Sequence, residues 1–429
     1  MYLLYSALLG LFLLITLPYW LVQMMRHGKY RAGLRQRLGA VPPGLKAISG
    51  KPCIWVHAVS VGEVVAVAGV VEALRQQFPS HLVRISTTTS TGHKLAVRRF
   101  GEDSVFYFPL DFSFAIRPYL ATLQPEMVVI AETEFWPNFL RLARRSGARI
   151  AVINSRISDR SLPGYKRLAF WIPSVLKDVD LFLAQTEEDR RRLVEIGAPE
   201  PRVSVAGNLK FDVAPPKPPA IVSSLRASLQ QSGPVLVCGS TLEDEEGSLL
   251  SAFRNILANH PQAVMILAPR HPERFADVAA LVESLGFRLV RRTLWSGEPL
   301  AGSVFLLDSI GELAALYSLA TIAFVGGSLV PRGGHNILEP ALFGVPIVTG
   351  NHYENFRDIV NFFLSRDAVR VVGLAELPLV FMELIENPAE REKLGRNALA
   401  ALESQRGATG RAVAALAALM AEPRGGSPA

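Results

Sequence analysis

Apolar and charged positions are distributed most unevenly at the start of the chain. Residues 1–25 contain no charged side chain, whereas the next twelve residues include five cationic ones. An apolar helix of that length, rising about 1.5 Å per residue, crosses a hydrocarbon core of roughly 30 Å. Because Lys and Arg beside a spanning segment stay in the cytoplasm, the pattern predicts a membrane anchor followed by cytoplasmic domains. The cationic residues are Arg26, Lys29, Arg31, Arg35 and Arg37.

Two other interpretations of this segment stay open. A cleaved secretory signal would need a basic start, a shorter apolar core and a small-residue cleavage site, and none of these is visible. Pro18, Tyr19 and Trp20 soften the helix near its inner end, so a steeply tilted or half-inserted anchor is the other interpretation.

After the anchor, short apolar runs alternate with longer amphipathic ones, which predicts βαβ units and parallel sheets. About 390 residues remain there, too many for one ordinary core, and they suit two domains. The predicted strands are Cys53–Val56, Val83–Ser86, Met127–Ala131, Ile150–Ile153, Leu181–Ala184, Val235–Gly239, Val264–Ala268, Val304–Leu307, Ile322–Val325 and Pro346–Val348.

A proline-rich stretch, residues 214–219, separates the first five predicted strands from the last five. Proline cannot continue a helix or a central strand, so this stretch predicts a linker. We therefore expect an α/β protein with two doubly wound, Rossmann-like domains and a ligand cleft between the carboxyl ends of their strands. The predicted parts are an anchor at 1–25, domains at 26–213 and 221–421, a linker at 214–220 and a disordered tail at 422–429.

Composition and charge narrow the class of protein. Hydrophobic residues make up 49% and charged residues 19%, which describes a folded chain. Cys53 and Cys238 both lie in apolar stretches, as expected of buried thiols in a reducing compartment, and they cannot build a metal framework. We expect no metal or other cofactor.

The net charge of +7 is unevenly shared. Residues 1–214 carry 27 Lys and Arg against 17 Asp and Glu, while residues 215–429 carry 18 against 21. A positive surface on the membrane-attached half attracts anionic headgroups or an anionic lipid substrate. Residues 165–172 combine aromatic and cationic side chains and form a candidate membrane-facing patch, although an ordinary amphipathic helix fits them equally well. Nucleic acid is not expected as a partner, because no run of basic residues interleaved with aromatics follows the basic segment.

In the second predicted domain, a glycine-rich segment runs from a strand towards a helix. Gly326, Gly327, Ser328, Gly333 and Gly334 predict a phosphate loop, because backbone N–H groups beside glycines can approach an anion at a helix N-terminus. The alternative is that these glycines only form turns.

Three further elements of that domain could contact a nucleotide. Arg270, directly after a strand and Pro269, can donate two parallel hydrogen bonds to a phosphate, or it can form an interdomain ion pair. Glu339, in the first turn after the phosphate loop, can accept hydrogen bonds from ribose hydroxyls, or it can simply complement the helix dipole. The backbone of residues 309–312 opens another helix that could meet the nucleotide.

In the first domain, four side chains are candidates for catalysis. Ser60 and Glu63 fit a capping box, and Glu63 could alternatively act as a general base whose pKa is raised by desolvation. Glu132 and Glu134 follow an apolar strand directly, which is typical of a site at the carboxyl end of a sheet. Lys210, just before the linker, could offset charge on a departing phosphate, or it could be a solvated surface cation.

Five motifs, in this order along the chain, resemble those of the bacterial 3-deoxy-D-manno-octulosonic acid (Kdo) transferases, glycosyltransferase family 30. The resemblance runs from the anchor to about residue 400. The motifs are His57–Glu63, Glu132–Asn138, Gly207–Asp212, Pro269–Phe275 and Gly326–Gly344.

The resemblance implies a GT-B fold, CMP-Kdo as the donor, and the lipid A precursor as the acceptor at the cytoplasmic face of the inner membrane. It implies that Glu63 is the catalytic base of an inverting transfer, and that Lys210 with one of Glu132 and Glu134 stabilises the transition state. It also implies a set of CMP contacts, which are Pro269, Arg270, Ile310, Gly311, Glu312, Asn336, Ile337, Leu338 and Glu339.

Two other functions are compatible with the same motifs. One is a GT-B transferase or epimerase that uses another nucleotide sugar, which the Pro269–His271 motif disfavours. The other is an inactive nucleotide-sugar-binding scaffold at the membrane. Mono-, bi- and trifunctional Kdo transferases share these motifs, so the number of sugars transferred stays open, as does the oligomeric state.

Overall fold

The computed structural model describes residues 1–27, 32–46, 50–216 and 218–423. Lys29 and Arg31 of the basic segment, Lys217 of the linker and residues 424–429 of the tail lie outside this range. The chain divides into two compact units. The first comprises Met1–Asp212 with Arg406–Ala429, and the second comprises Val213–Gln405.

A parallel sheet forms the centre of the first unit. Its strands are β1 (Cys53–His57), β2 (Leu82–Thr87), β3 (Val105–Tyr107), β4 (Pro125–Ala131), β5 (Arg149–Ser155), β6 (Leu181–Ala184) and β7 (Val203–Val205). In the described residues the strand order is β3-β2-β1-β4-β5-β6-β7, with every pairing parallel. The order reverses at β1, so the carboxyl ends of β1 and β4 lie side by side, where doubly wound sheets place ligands.

Helices cover both faces of this sheet, because alternate strand residues point to opposite sides. Trp55 lies in one core cluster with Ile116, Phe139, Val175 and Leu193, while Ile54 and Val56 lie in the other with Val64, Ala96 and Ala412. The helices are α1 (Tyr2–His27), α2 (Leu34–Arg37), α3 (Pro43–Lys46), α4 (Val61–Gln77), α5 (Ser90–Phe100), α6 (Ser113–Leu123), α7 (Pro137–Arg145), α8 (Leu162–Arg167), α9 (Ile172–Leu176), α10 (Glu187–Glu195) and the C-terminal α19 (Ala408–Ala421).

The assignment of α19 to the first unit corrects the sequence analysis, which extended the second domain to residue 421. The apolar side chains of Ala412 and Leu416 are buried in the same core cluster as α4. The Asp212 carboxylate accepts hydrogen bonds from the Gly407 amide at 2.6 Å and from the Thr409 amide. The chain therefore returns to the first unit after completing the second.

The second unit repeats the architecture. Its strands are β8 (Val235–Thr241), β9 (Val264–Pro269), β10 (Arg288–Arg291), β11 (Ser303–Leu306), β12 (Ile322–Val325), β13 (Ile347–Gly350) and β14 (Arg370–Val372). Within the described part of the chain their order is β10-β11-β9-β8-β12-β13-β14, again all parallel. The helices are α11 (Ala220–Ser228), α12 (Glu246–Asn259), α13 (Phe275–Ser284), α14 (Leu313–Leu316), α15 (Leu338–Ala341), α16 (Arg357–Leu364), α17 (Leu377–Glu386) and α18 (Pro388–Gln405).

All ten predicted strands are present, and the α/β fold class is confirmed. The strands that the pattern did not predict are β3, β7, β10 and β14, which are the edge strands of the two sheets. Each has only three or four residues. β7, β10 and β14 are only partly buried, so their apolar signal is weak, whereas β3 is buried but only three residues long.

Helix α1 is the one described helix that is long and apolar enough to cross a membrane. Eleven of its side chains at apolar or aromatic positions from Leu3 to Met25 are exposed.

Candidate active site

The first unit gathers three carboxylates at the carboxyl ends of β1 and β4. Glu63 is in the first turn of α4, which follows β1, and Glu132 and Glu134 follow β4. Because β1 and β4 are adjacent parallel strands, the two loops lie side by side. Glu63 and Glu132 both act on the pKa of Glu134, so the three side chains form one electrostatic cluster.

Both carboxylate oxygens of Glu63 are held by hydrogen bonds. One accepts from the Val59 amide at 2.8 Å and the other from the Ser60 hydroxyl at 2.8 Å. Ser60 is the N-cap of α4 and accepts from the Glu63 amide at 3.4 Å. The capping interpretation is therefore confirmed, and the carboxylate also accepts from the Val59 amide. A capping role does not exclude a second role, because each carboxylate oxygen keeps a further lone pair.

Burial perturbs the acid–base behaviour of this cluster. Burial, and secondarily the Glu132 carboxylate, raises the pKa of Glu63 against the opposing hydrogen bonds from Val59 and Ser60. Burial, followed by the charges of Glu63 and Glu132, raises the pKa of Glu134 from 4.5 to about 7. Carboxyl groups that titrate near neutral pH are characteristic of general acid–base sites.

Glu132 occupies an unusual backbone conformation. Its φ of 57° is left-handed, a region that non-glycine residues enter rarely and at a cost of about 1 kcal/mol or more. Its amide donates to the carbonyl of Ile153 at 2.8 Å, which fixes the turn. Such strain is concentrated at functional sites, where the surrounding structure holds it in place.

Lys210 reaches the same cluster. Its ammonium lies 3.5 Å from a carboxylate oxygen of Glu132, and both side chains are about one third exposed. The turn that carries Lys210 is anchored by Asn154, whose side-chain oxygen accepts from the Leu209 amide at 3.0 Å. The structure therefore brings together all four candidate catalytic residues of the sequence analysis.

In the second unit, Arg270, His335 and Glu339 form a second electrostatic cluster. Burial, Arg270 and His271 lower the pKa of His335 to about 4, so its imidazole is neutral at physiological pH. Burial raises the pKa of Glu339, while Asn336 and Arg270 oppose that rise. An exposed guanidinium, a neutral imidazole and a carboxyl acceptor can together hold a phosphate and hydroxyl groups.

A protein carboxylate binds part of the predicted phosphate loop. Glu245, which is fully buried, accepts hydrogen bonds from the amides of Gly327, Ser328 and Leu329 at 2.7 to 2.8 Å. The Gly334 amide donates to the Gly327 carbonyl. The prediction that the Gly327 and Ser328 amides face an anionic ligand is therefore wrong, because the anion they bind is Glu245.

Gly326 and Gly333 have structural reasons to be glycine. A Cβ atom on Gly326 would lie 2.8 Å from the backbone of Ser240 and Thr241. Gly333 has a φ of 88° and approaches Asn355 closely. These contacts agree with the alternative that the glycines form turns.

The helix expected after this loop is one turn, α15. A helix of that length carries little macrodipole, so the predicted contribution of a helix N-terminus is small. Ile337 and Leu338 are buried in the core, so only their backbone groups can meet a ligand. Asn336 accepts from the Leu338 amide at 3.1 Å.

The remaining predicted nucleotide contacts lie on a neighbouring loop. The Glu312 carboxylate binds the guanidinium of Arg292 through two hydrogen bonds and also accepts from Ser309. Ile310 is 66% exposed, and Gly311 has a φ of 92°. Pro269 ends β9 beside Thr241.

Two residues of the second unit were missed as functional or structural centres. Glu245 lies in the acidic run 243–246, which looks like a solvated loop in sequence but follows β8 directly. His335 lies within the motif Gly326–Gly344, and its Nε2 atom is buried without a hydrogen-bond partner among the described residues. For Glu245 the available signal was a polar side chain next to the carboxyl end of a strand.

Two α/β units, each built on a seven-stranded parallel sheet, define the GT-B fold. The UDP-GlcNAc 2-epimerase from Neisseria meningitidis has a similar fold, with a TM-score of 0.54 and 15% identity over 85% of this chain and 100% of that chain. This similarity shows the fold alone.

Sequence comparison defines the family. Residues 32–213 match the model of 3-deoxy-D-manno-octulosonic-acid transferase (kdotransferase). The 3-deoxy-D-manno-octulosonic acid transferase of Haemophilus influenzae is 33% identical over 389 residues, 90% of both chains. That of Bordetella pertussis is 34% identical and covers 96% of this chain and 97% of its own. The chain belongs to the 3-deoxy-D-manno-octulosonic acid transferases, and it is a glycosyltransferase of lipopolysaccharide biosynthesis.

Proposed function

We propose that this chain transfers Kdo from CMP-Kdo to a sugar hydroxyl of the lipid A precursor (lipid IVA), with inversion at the anomeric carbon. The reaction takes place at the cytoplasmic face of the inner membrane. The observation that carries the proposal is the cluster of Glu63, Glu132, Glu134 and Lys210 at the carboxyl ends of two adjacent strands.

Glu63 is the general base. Its hydrogen bonds from Val59 and Ser60 fix the carboxylate, so little reorganisation is needed when it takes a proton from the acceptor hydroxyl. Burial raises its pKa and makes it a stronger base than a solvated carboxylate.

The other two acids and Lys210 stabilise charge. The transition state of sugar transfer carries positive charge near the anomeric carbon, which a nearby carboxylate stabilises. Glu132 or Glu134 serves this purpose. Lys210, held at 3.5 Å from Glu132, offsets negative charge on the departing phosphate.

The second unit binds the donor. Arg270 binds the phosphate of CMP. Glu339 and Asn336 accept hydrogen bonds from the ribose hydroxyls, or they orient other groups that accept them. The backbone around Gly311 contributes further contacts. Gly327 and Ser328 support this loop through Glu245 and have no direct part in binding the phosphate.

The proposal is tested by measuring CMP release and product mass with detergent-solubilised protein, CMP-Kdo and tetraacylated lipid A precursor. Glu63→Gln keeps the shape of the side chain but cannot accept a proton, so we expect kcat to fall by about 10²-fold or more. Glu72→Gln changes an exposed acid on the same helix and should stay within about twofold of wild type.

Two outcomes would contradict the proposal. Undiminished kcat in the Glu63→Gln variant would leave Glu63 only as a helix cap. Binding of CMP without any release of CMP from CMP-Kdo, in the presence of the lipid acceptor, would favour the inactive scaffold.

A further inference from the structure

The N-terminal end of α1 is docked on the first unit. The Tyr2 and Tyr5 rings contact the Trp171 ring, with centroids 6.1 and 5.4 Å apart. The Ser6 hydroxyl accepts a hydrogen bond from the Asn138 amide at 3.0 Å. The Arg141 guanidinium lies over the Tyr2 ring at 4.5 Å. The first two turns of the helix therefore lie against α7 and the start of α9.

The segment after α1 is tied to the same unit. Gly33 lies against the Tyr107 ring, closely enough that a Cβ atom there would be 2.0 Å from it. The Gln36 side chain accepts from the Tyr107 amide at 2.8 Å, and the Arg37 carbonyl accepts from the Leu110 amide at 2.8 Å. Both the start of α1 and the chain six residues after its end are fixed on the first unit.

These two attachments are incompatible with a helix that crosses the bilayer. If Tyr2 lies on the side of the first unit, a spanning helix places His27 on the opposite side. Six peptide links from His27 to Gly33 reach at most about 21 Å, which is shorter than a hydrocarbon core of about 30 Å. If His27 lies on the side of the first unit instead, the contacts of Tyr2, Tyr5 and Ser6 cannot form.

The side chains of α1 are also sorted by polarity. Its less exposed positions fall three or four residues apart, so they share one helical face. That face contains the polar residues Ser6, Thr16 and Gln23. The exposed stripe, by contrast, is apolar and runs the length of the helix through Leu4, Leu8, Leu11, Ile15, Val22 and Met25.

The exposed apolar surface continues beyond the helix. Phe170 is 74% exposed, and Leu168 is also exposed. Both are neighbours in sequence of Trp171, which contacts Tyr2 and Tyr5. The exposed cation Arg167 lies in the same segment, whereas Lys166 is paired with Glu195 at 2.5 Å. An apolar face flanked by cations is suited to the interface of an anionic membrane.

We infer that α1 lies in the plane of a single membrane leaflet, with its exposed apolar stripe and residues 168–170 facing the lipid and its first two turns held by α7 and α9. The first unit and both ends of α1 are then on the same side of the membrane. This inference deepens the membrane attachment in the proposed function, but it does not depend on sugar transfer.

The test is a topology measurement on the full-length protein. A short extension ending in Cys is added before Met1, and intact spheroplasts and permeabilised ones are treated with a membrane-impermeant maleimide. Cys53 and Cys238 are buried and contribute little background. Ser80→Cys, on an exposed loop of the first unit, is the matched control for the inner side.

An in-plane helix predicts that the protein stays in the membrane fraction and that the extension, like Ser80→Cys, is labelled only after permeabilisation. Labelling of the extension in intact spheroplasts would show a spanning helix and overturn the inference. Recovery of the protein in the soluble fraction would overturn it as well.

A second variant answers the same question if the extended protein does not accumulate. Ser6→Cys with Asn138→Cys places two thiols where the side chains already touch. Formation of the disulfide in isolated membranes supports docking, and its absence overturns it. Neither measurement uses catalytic activity, so failure of the proposed function would not be mistaken for failure of this inference.

Discussion

The raised pKa of Glu134 makes the stability of the first unit dependent on pH, and replacing this residue by Gln should remove that dependence. Its pKa is about 7 in the folded protein and 4.5 as the ordinary value. The folded state thus favours the protonated form. The contribution of Glu134 to the stability of the folded state is fully favourable below about pH 4.5 and is lost as the pH rises towards 7.

The size of the effect follows from the same two values. A rise of the pKa from 4.5 to about 7 changes the free energy of unfolding by about 3 kcal/mol at most. About 2 kcal/mol of this change occurs between pH 5 and pH 8. Gln is neutral at every pH and is not repelled by Glu63 and Glu132. We therefore expect Glu134→Gln to stabilise the protein at pH 8 and to have a much smaller effect at pH 5.

The assay is thermal unfolding of the detergent-solubilised protein at both pH values. A difference of about 2 kcal/mol corresponds to about 4–8 °C in Tm. Glu102→Gln, an exposed acid of the same unit, is the control and should change the two Tm values equally. An equal effect of Glu134→Gln at pH 5 and pH 8 would refute the reasoning, because burial would then not be holding a proton on this carboxyl group.

Two other carboxylates give predictions about folding. Asp212→Asn weakens the hydrogen bonds to the Gly407 and Thr409 amides, so we expect a loss of about 1–2 kcal/mol in urea unfolding, and an unchanged midpoint would contradict it. Glu245→Gln places an amide donor against the N–H groups of residues 327–329, so we expect the free energy of unfolding to fall by about 3 kcal/mol in the same assay. The control Glu243→Gln changes an exposed acid and should leave the urea midpoint unchanged. Equal midpoints for the two variants would contradict the prediction.

The interior of both sheets could be predicted from the sequence, but their edges could not. Central strands such as β4 and β9 are buried on both faces, so they appear as continuous apolar runs. β10 begins and ends with Arg and is only partly buried, so its sequence carries no comparable signal. Local patterns record burial, and three of the four edge strands, β7, β10 and β14, have less of it.

Longer-range contacts were not predictable from local patterns. The apolar spacing of α19 predicts a helix but not which sheet it covers, and the Pro-rich linker suggested that the chain leaves the first unit for good. The partner that holds α19 is Asp212, about 195 residues earlier in the chain. Likewise, Glu245 binds amides more than 80 residues later in the chain. Nothing in the glycine-rich motif indicates that these amides bind a side chain of the same chain and not a ligand.

The candidate site was predicted better than the nucleotide loop for a physical reason. Glu132 and Glu134 interrupt an apolar strand end, and the parallel topology forces them towards the loop that carries Glu63. A glycine-rich loop is more ambiguous, because the same backbone N–H groups can bind a ligand, a side chain or each other. In this chain the buried Glu245 side chain binds the amides of Gly327 and Ser328, and the Gly326 and Gly334 amides donate to backbone carbonyls.

Among the described residues, the buried and half-buried acids are compensated to different degrees, and the contrast supports the location of the chemistry. Asp308 is held by Arg291 and Thr293, Glu246 by Arg274 and Thr241, and Glu245 by backbone amides, so each is compensated by donors. Glu134 is half-buried and instead faces two more carboxylates, and its neighbour Glu132 also has a strained backbone.

Packing alone would favour a neutral side chain at the position of Glu134, because a buried carboxylate beside like charges costs free energy. Lys210 offsets part of this cost only at Glu132, at 3.5 Å and with partial exposure, where an ion pair contributes little. Repulsion among the acids at the ends of β1 and β4 therefore lowers stability at a place where carboxyl groups can act on a substrate. A structural role explains the capping hydrogen bonds of Glu63, but it does not explain why three carboxylates are placed together.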